Sequence, residues 1–128
     1  MYKILLLVSG GAIGTVARYF ISGVAQKYMD SGFPWGTLVV NITGAFVIGL
    51  IWGLFETVEI NSGIRAFIFI GILGGFTTFS SFALETMNLY KQGEIKIAIL
   101  NILANNTLSI ILVFVGFMAA RGILGIIK

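Results

Sequence analysis

The sequence contains no cysteine and no histidine, and it has a single proline among 128 residues. The first two absences exclude disulfides, thiol nucleophiles, histidine bases and the usual ligands of softer metals. Only five residues are acidic, so a carboxylate-based metal or acid–base centre is also poorly supplied. We therefore expect that the chain is not an enzyme.

Charged residues are scarce as well, making up 10% of the chain, whereas 58% of it is hydrophobic. A soluble domain carries roughly a quarter charged residues, so this chain cannot cover itself with a polar surface. The net charge of +3 does not indicate nucleic-acid binding, because the eight lysines and arginines are scattered singly between apolar runs. They form no basic cluster that could follow phosphates. Composition predicts a protein embedded in a lipid membrane, by class a plasma or inner membrane.

Four apolar runs are long enough to cross a bilayer as helices, which takes about 20 residues each. The loops between them are short, so we predict one all-α, four-span membrane domain over residues 1–128. The start of the chain could also pass for a cleaved signal peptide, but apolar character resumes after Arg18 and three more spans follow. The predicted spans are Ile4 to about Ala25, Thr37 to Phe55, Ala66 to about Tyr90, and Ile97 to Ala120.

Positive charge is nearly balanced between the two ends of such a bundle. Orientation normally follows an excess of lysine and arginine on one side of the membrane. We therefore expect the chain to insert both ways up, so that two copies can pair in opposite orientations; a weakly biased single topology is the alternative. One end carries Lys3, Arg65, Arg121 and Lys128, and the other carries Lys27, Lys91 and Lys96, with Arg18 able to reach toward it.

Glycine is abundant, with 17 residues, and three glycine pairs are spaced four residues apart. Small residues at this spacing let helix backbones approach closely in lipid, where hydrophobicity cannot drive helix association. We interpret these pairs as packing positions. They are Gly10 and Gly14, Gly49 and Gly53, and Gly71 and Gly75.

Polar residues inside the spans are costly, so each needs a partner or a task. Thr37 and Asn41 share one face of the second span, because they lie four residues apart. In the fourth span Asn101, Asn105 and Ser109 follow one another at the same spacing. Such columns can bind helices together or line a water-filled path, and two columns beside a broken span favour the path.

Two charged residues within the spans have two interpretations each. Glu85 is either a proton-linked carboxylate or a group near the interface that is bonded to a hydroxyl. Arg18 is either an anchor that reaches the membrane surface or a charge that gathers anions at an entrance.

The third span contains the segment GGFTTFSSF at residues 74–82. Two glycines followed by Thr77 and Thr78 predict a helix break at about mid-membrane depth. Unwound backbone survives there only when it is buried in protein or lines a cavity, and its carbonyls can hold a cation. Phe79 and Phe82 either pack or present their positive ring edges to an anion, to which nearby hydroxyls and amides also donate. Hydroxyls, amides and aromatic ring edges together suit a small anion that loses its hydration water but must still be released.

These residues resemble a known family. GGFTTFSSF resembles the GG-x-TTFS-x-F motif of the Fluc (CrcB) fluoride channel family, and WGTLVVNITGAFVIG resembles the family's second span, G-T-x-x-V-N-x-x-G. GGAIGTVARY is similar to its opening, and the similarity runs through all four spans. The resemblance implies passive export of fluoride through an antiparallel homodimer with two pores.

The resemblance also implies roles for individual residues. The ring edges of Phe79 and Phe82 would meet fluoride, and Asn41 would donate to the ion. Gly74 and Thr77 would offer backbone carbonyls to a structural sodium ion at the dimer centre. Arg18 would belong to the entrance, and Glu85 would form a hydrogen bond near the exit. The implied fluoride pathway comprises Phe79, Phe82, Asn41, Thr37, Ser109, Asn105, Arg18, Glu85 and Ser81.

The sequence departs from the family pattern at two positions of the fourth span. The family often has tyrosine where this chain has Asn105, and a hydroxyl where it has Val113. These departures concern the far end of the polar track.

Two other functions compete with the channel. A small four-span, proton-coupled drug exporter would also be an inverted dimer, but it needs a carboxylate in its first span, and here only Glu85 in the third span could serve. A packing subunit of a larger membrane complex would need no polar columns.

Overall fold

The computed structural model describes residues 1–29, 31–56 and 58–127, and over those residues it is helical with no strand. Four helical stretches there are long and apolar enough to cross a membrane, which confirms the predicted number of spans. In chain order the elements are α1 (Tyr2–Tyr28), α2 (Trp35–Phe55), a third span (Ser62–Lys91) made of α3 (Ser62–Arg65), a π-helical segment (Ala66–Leu73), α4 (Gly74–Phe76) and α5 (Phe79–Lys91), and finally α6 (Ile95–Ile127).

The helix that contains the fourth span is longer than the predicted span, because α6 continues past Ala120 to Ile127. Arg121 ends the apolar run without ending the helix. Its guanidinium reaches sideways to Glu56 at 3.1 Å and lies 5.4 Å from the centre of the Phe117 ring. The charge is thus accommodated beside the helix, and the backbone has no reason to stop there.

The spans pack as two adjoining pairs, α2 with α6 and α1 with the π-helical segment and α4. Contacts of α1 with α2 and of α5 with α6 join the pairs. Gly63 lies beside Tyr2, and Arg121 pairs with Glu56, so the beginning of α1, the end of α2, the start of the third span and the last turns of α6 share one end of the bundle. Of the charges predicted at this end, Lys128 lies outside the described residues.

The glycine pairs lie where helix backbones touch, which confirms their predicted role. A Cβ added at Gly14 would collide with the carbonyl of Ile72, and one added at Gly49 would collide with the carbonyl of Val113. A Cβ at Gly71 would lie 3.0 Å from the Cα of Gly10. In lipid such close approach supplies the dispersion contacts and weak backbone contacts that hydrophobic burial cannot.

The beginning of α2 is held by a side chain from α1. Pro34 precedes the helix and provides no side-chain cap. Instead the Oε1 of Gln26 accepts from Gly36 N at 3.1 Å, while its Nε2 donates to the carbonyl of Phe33 at 3.1 Å. One amide therefore satisfies a free donor of the first turn and closes the loop between α1 and α2.

We expect Gly14→Ala to lower the stability of the purified protein toward heat. The new methyl collides with rigid backbone, and overpacking of this kind costs about 1–3 kcal/mol. Gly11→Ala is the matched control, because a Cβ at Gly11 meets nothing within 4 Å. Thermal unfolding in detergent measures both, and equal melting temperatures would contradict the backbone contact.

Candidate functional site: a neutral polar groove beside the third span

Two residues in the third span depart from helical geometry. Thr77 (φ −78°, ψ 154°) and Thr78 (φ −148°, ψ 116°) are extended and lie between α4 and α5. Thr78 caps α5, because its Oγ1 accepts from Ser81 N at 3.2 Å and also donates to the Ser81 hydroxyl at 2.9 Å. The Thr77 hydroxyl instead donates back to the carbonyl of Leu73 at 3.0 Å. Each threonine thus stabilises one side of the extended pair.

The peptide groups freed at this point are satisfied by one side chain on α2. Thr78 N donates to the Oδ1 of Asn41 at 2.9 Å, and the Nδ2 of Asn41 donates to the carbonyl of Thr78 at 3.1 Å. A carboxamide has one acceptor and donors in the same arrangement as a peptide, so it completes both bonds at once. The Asn41 side chain therefore forms with Thr78 the two backbone hydrogen bonds that a residue of a neighbouring β-strand would form.

From Asn41 a chain of hydrogen bonds runs through α6 and back to α5. Asn41 Nδ2 donates to Asn105 Oδ1 at 2.9 Å, and Asn105 Nδ2 donates to Asn101 Oδ1 at 2.8 Å. Asn101 Nδ2 then donates to the hydroxyl of Thr86 at 2.9 Å, which donates to the carbonyl of Phe82 at 2.9 Å. The chain ties three spans together around the extended residues.

Asn101 and Asn105 are 0% and 5% exposed. Their side chains form hydrogen bonds to neighbouring spans, as expected for polar residues that hold helices together. Asn105 Nδ2 also lies 3.2 Å from the backbone carbonyl of Asn101, so its donors point along α6. Polar groups buried in a bundle are costly unless paired, and here they are paired. The column on α6 therefore joins helices at Asn101, while Asn105 both joins helices and lines an open cavity that Ser109 also reaches.

That cavity has a volume of about 370 Å³ and opens beside the extended threonines. Phe82 is buried at its wall, whereas Phe79 is 73% exposed, and the two rings meet edge-on at 5.2 Å between centroids. None of the described lining residues is charged. The lining residues that the sequence singled out are Asn41, Gly74, Thr77, Thr78, Phe79, Phe82, Asn105, Ser109 and Val113, and Asn106 adds a further polar group.

A second cavity of about 370 Å³ holds the other candidates, Arg18, Thr37, Ser81 and Glu85. Within it the hydroxyl of Thr37 donates to Glu85 Oε1 at 2.5 Å. Of the two alternatives given for Glu85 from the sequence, this contact matches the carboxylate that is bonded to a hydroxyl. Thr78 lines both cavities, so the two groups of candidates are adjacent and Thr78 lies between them.

Three contributors were missed by sequence reasoning. Thr78 was noted only as part of the break, yet it is the residue that Asn41 holds. Thr86 completes the hydrogen-bond chain, and its position four residues after Phe82 was an available signal. Gln26 lies in what was predicted to be a loop, and nothing local indicates that its amide would cap α2.

The carbonyls of Gly74 and Thr77 are suitable ligands for a hard cation such as sodium. Thr78 N is directed to Asn41, so it does not occupy the carbonyl of Gly74 four residues earlier. Over the described residues, no cluster of three or more histidine, cysteine or acidic side chains could hold a metal. Backbone carbonyl oxygens are ligands of the kind that hard cations prefer.

Four apolar spans define a multi-pass membrane protein, and the cavity beside Thr77 and Thr78, here called the groove, has no charged residue in its described lining. The sequence profile of the family described as CrcB-like protein, Camphor Resistance (CrcB), matches residues 5–117, and the chain belongs to this family. It is 48% identical, over the full length of both chains, to a protein of Parabacteroides distasonis named fluoride-specific ion channel FluC.

Two further relatives bear the same name. A protein of Pyrococcus abyssi is 46% identical over 118 residues, which cover 91% of this chain and 94% of the relative. A protein of Shewanella halifaxensis is 44% identical over 116 residues, with 91% and 94% covered.

We expect Asn41→Leu to destabilise the protein strongly, because it leaves the N–H and carbonyl of Thr78 without their partner. Each buried polar group left unsatisfied costs about 1–3 kcal/mol. Asn106→Leu is the matched control, since the Asn106 amide is exposed and donates only to Ile102 O of its own helix. Thermal unfolding in detergent compares the two variants, and a loss at Asn41 no larger than that at Asn106 would count against this pairing.

Proposed function

We propose that the protein is a fluoride channel through which the ion moves passively down its electrochemical gradient. The observation that carries the proposal is the match to relatives named fluoride-specific ion channels over the whole chain. The chemistry of the groove supports it, because its lining combines hydroxyls, amides and aromatic edges without a formal charge. No covalent step is required, so the protein is not an enzyme.

Neutral dipoles are suited to a small anion in transit. A hydrated fluoride ion enters a narrow path only if donors replace its water, and hydroxyl and amide groups do this. The exposed edge of Phe79 adds a positive rim, because the hydrogens of an aromatic ring carry partial positive charge. A lysine or arginine at the same place would bind the ion too tightly to release it.

The proposed assembly is a homodimer of two antiparallel copies with two pores. In the single chain Phe79 is 73% exposed, and the cavity beside it is open on one side. A second copy facing this side would close the groove and bury the ring. Near-balanced positive charge supports opposite insertion of the two copies, and two-fold symmetry would then make two equivalent pores.

A sodium ion between the two copies would be held by the carbonyls of Gly74 and Thr77. When bound, it supplies positive charge that offsets converging carbonyl dipoles. Asn41 contributes by holding the Thr78 N–H away from Gly74, which keeps that carbonyl free for a cation.

The second cavity would connect the groove with the aqueous phase. Arg18 would attract fluoride to the entrance, while Thr37 and Ser81 offer hydroxyls further along. Glu85, which accepts from Thr37 at 2.5 Å, would orient that hydroxyl in the same cavity as Arg18, at this mouth of the pore. We place the protein in a plasma or inner membrane. A proton-coupled exporter is not favoured, since α1 contains no acidic residue.

We expect liposomes that contain only this protein to release loaded fluoride without a proton gradient. A potassium ionophore balances the charge, and a fluoride electrode follows the release. Identical vesicles loaded with chloride should retain it. Retention of fluoride, or release only when a proton gradient is imposed, would exclude a passive fluoride channel.

We expect Phe79→Ile to lower fluoride efflux by about two- to tenfold, because aromatic-edge contacts contribute about 0.5–1.5 kcal/mol. Isoleucine keeps the site apolar but has no ring edge. Phe114→Ile is the control, as Phe114 is exposed on α6 and does not line the groove. Equal efflux from both variants would indicate that Phe79 only packs.

A further inference from the structure

The donor-to-acceptor direction along the hydrogen-bond chain is set at one end by the peptide group of Thr78. A backbone N–H can only donate and a carbonyl can only accept, so the bonds to Thr78 orient the amide of Asn41. Asn41 Nδ2 must then face an oxygen of Asn105, which turns Asn105 Nδ2 toward Asn101. The three carboxamides consequently point the same way along the chain.

This orientation uses both N–H groups of Asn41. One hydrogen of Nδ2 goes to the carbonyl of Thr78 at 3.1 Å and the other to Asn105 Oδ1 at 2.9 Å. Asn41 and Asn105 both line the cavity beside Phe79. A side-chain donor that lines this cavity is therefore already occupied by an internal oxygen.

We propose that Asn105 is an affinity-determining residue whose side-chain oxygen competes with the transported anion for the second N–H of Asn41. The inference rests on the proposed function, since it assumes that fluoride reaches Asn41. Fluoride entering the groove takes the place of Asn105 Oδ1, and the amide of Asn105 turns aside. When the ion leaves, the oxygen returns.

Two oxygens accept hydrogen bonds from Asn41 Nδ2, and of these only Asn105 Oδ1 can be displaced by an ion. The carbonyl of Thr78 belongs to a backbone that α4 and α5 hold on both sides. The oxygen of Asn105 is at the end of a side chain and moves by rotation, which also releases the contacts of Asn105 Nδ2 with Asn101 at 2.8 and 3.2 Å. A charged acceptor forms a stronger hydrogen bond than a neutral one, so fluoride can displace it. The lost Asn41–Asn105 bond subtracts from binding, which favours release of the ion.

The test is the fluoride concentration at which efflux from liposomes is half-saturated. We expect Asn105→Leu, which has a similar volume but no oxygen, to lower this concentration by about two- to tenfold, the equivalent of one neutral hydrogen bond. Asn105→Ala removes the same oxygen and should shift it in the same direction if the leucine variant does not reconstitute. Asn105→Asp keeps an oxygen facing Asn41 and adds charge, so half-saturation should move to higher fluoride.

A second readout does not depend on flux. In protein labelled with 15N at asparagine side chains, fluoride should shift the amide signals of both Asn41 and Asn105. In Asn105→Leu, the Asn41 signal should shift at lower fluoride concentrations than in the unmodified chain. If Asn105 were purely structural, the Asn41 signal would shift at the same fluoride concentration in Asn105→Leu as in the unmodified chain.

The outcomes separate the two proposals. If the unmodified chain releases fluoride but half-saturation in Asn105→Leu and Asn105→Ala is unchanged or higher, the competing-oxygen proposal is wrong and the channel proposal stands. If liposomes with the unmodified chain retain fluoride, the channel proposal fails and this one fails with it. The competing-oxygen proposal is supported if Asn105→Leu and Asn105→Ala reach half-saturation at lower fluoride concentrations and the amide signals shift as expected.

Discussion

The pairing of the Asn41 carboxamide with the Thr78 peptide is the interaction on which the groove depends. Inside a bilayer, no water is present to form hydrogen bonds with a free peptide group. Extended backbone therefore persists only where another group replaces the missing helical hydrogen bonds. Asn41 provides both replacements, at 2.9 and 3.1 Å. Because α2 holds the third span at this point, Thr77 and Thr78 can leave the helix and the cavity beside them can exist.

The polar interior combines groups that are fully satisfied with groups that remain open. Asn101, Asn105 and Thr86 form hydrogen bonds with one another, with Asn41 and with neighbouring backbone, so they stabilise the contacts among three spans. Ser109 and the ring of Phe79 face the cavity. A solute path through lipid needs both kinds, because rigid walls keep the open dipoles aimed at the ion.

Close helix packing supplies the rigidity that these bonds require. Glycines at the contact between α1 and the third span, and again between α2 and α6, let the backbones touch. The hydrogen bonds from α2 to Thr78 and Glu85 then hold their short lengths, since the spans cannot slide apart. Within such a scaffold, a donor such as Asn41 can be shared between structure and solute.

The sequence by itself determined the membrane class, the four spans, the packing glycines and the family, because apolar length, small-residue spacing and local motifs are all properties of neighbouring residues. It did not show that α6 continues past Ala120, since the ion pair of Arg121 with Glu56 spans 65 positions. Only the tertiary structure decided that Asn41 holds Thr78, that Asn105 occupies its second N–H and that Thr37 serves Glu85. Which acceptor a side-chain donor finds depends on how helices distant in sequence are brought together, and no local pattern contains that information.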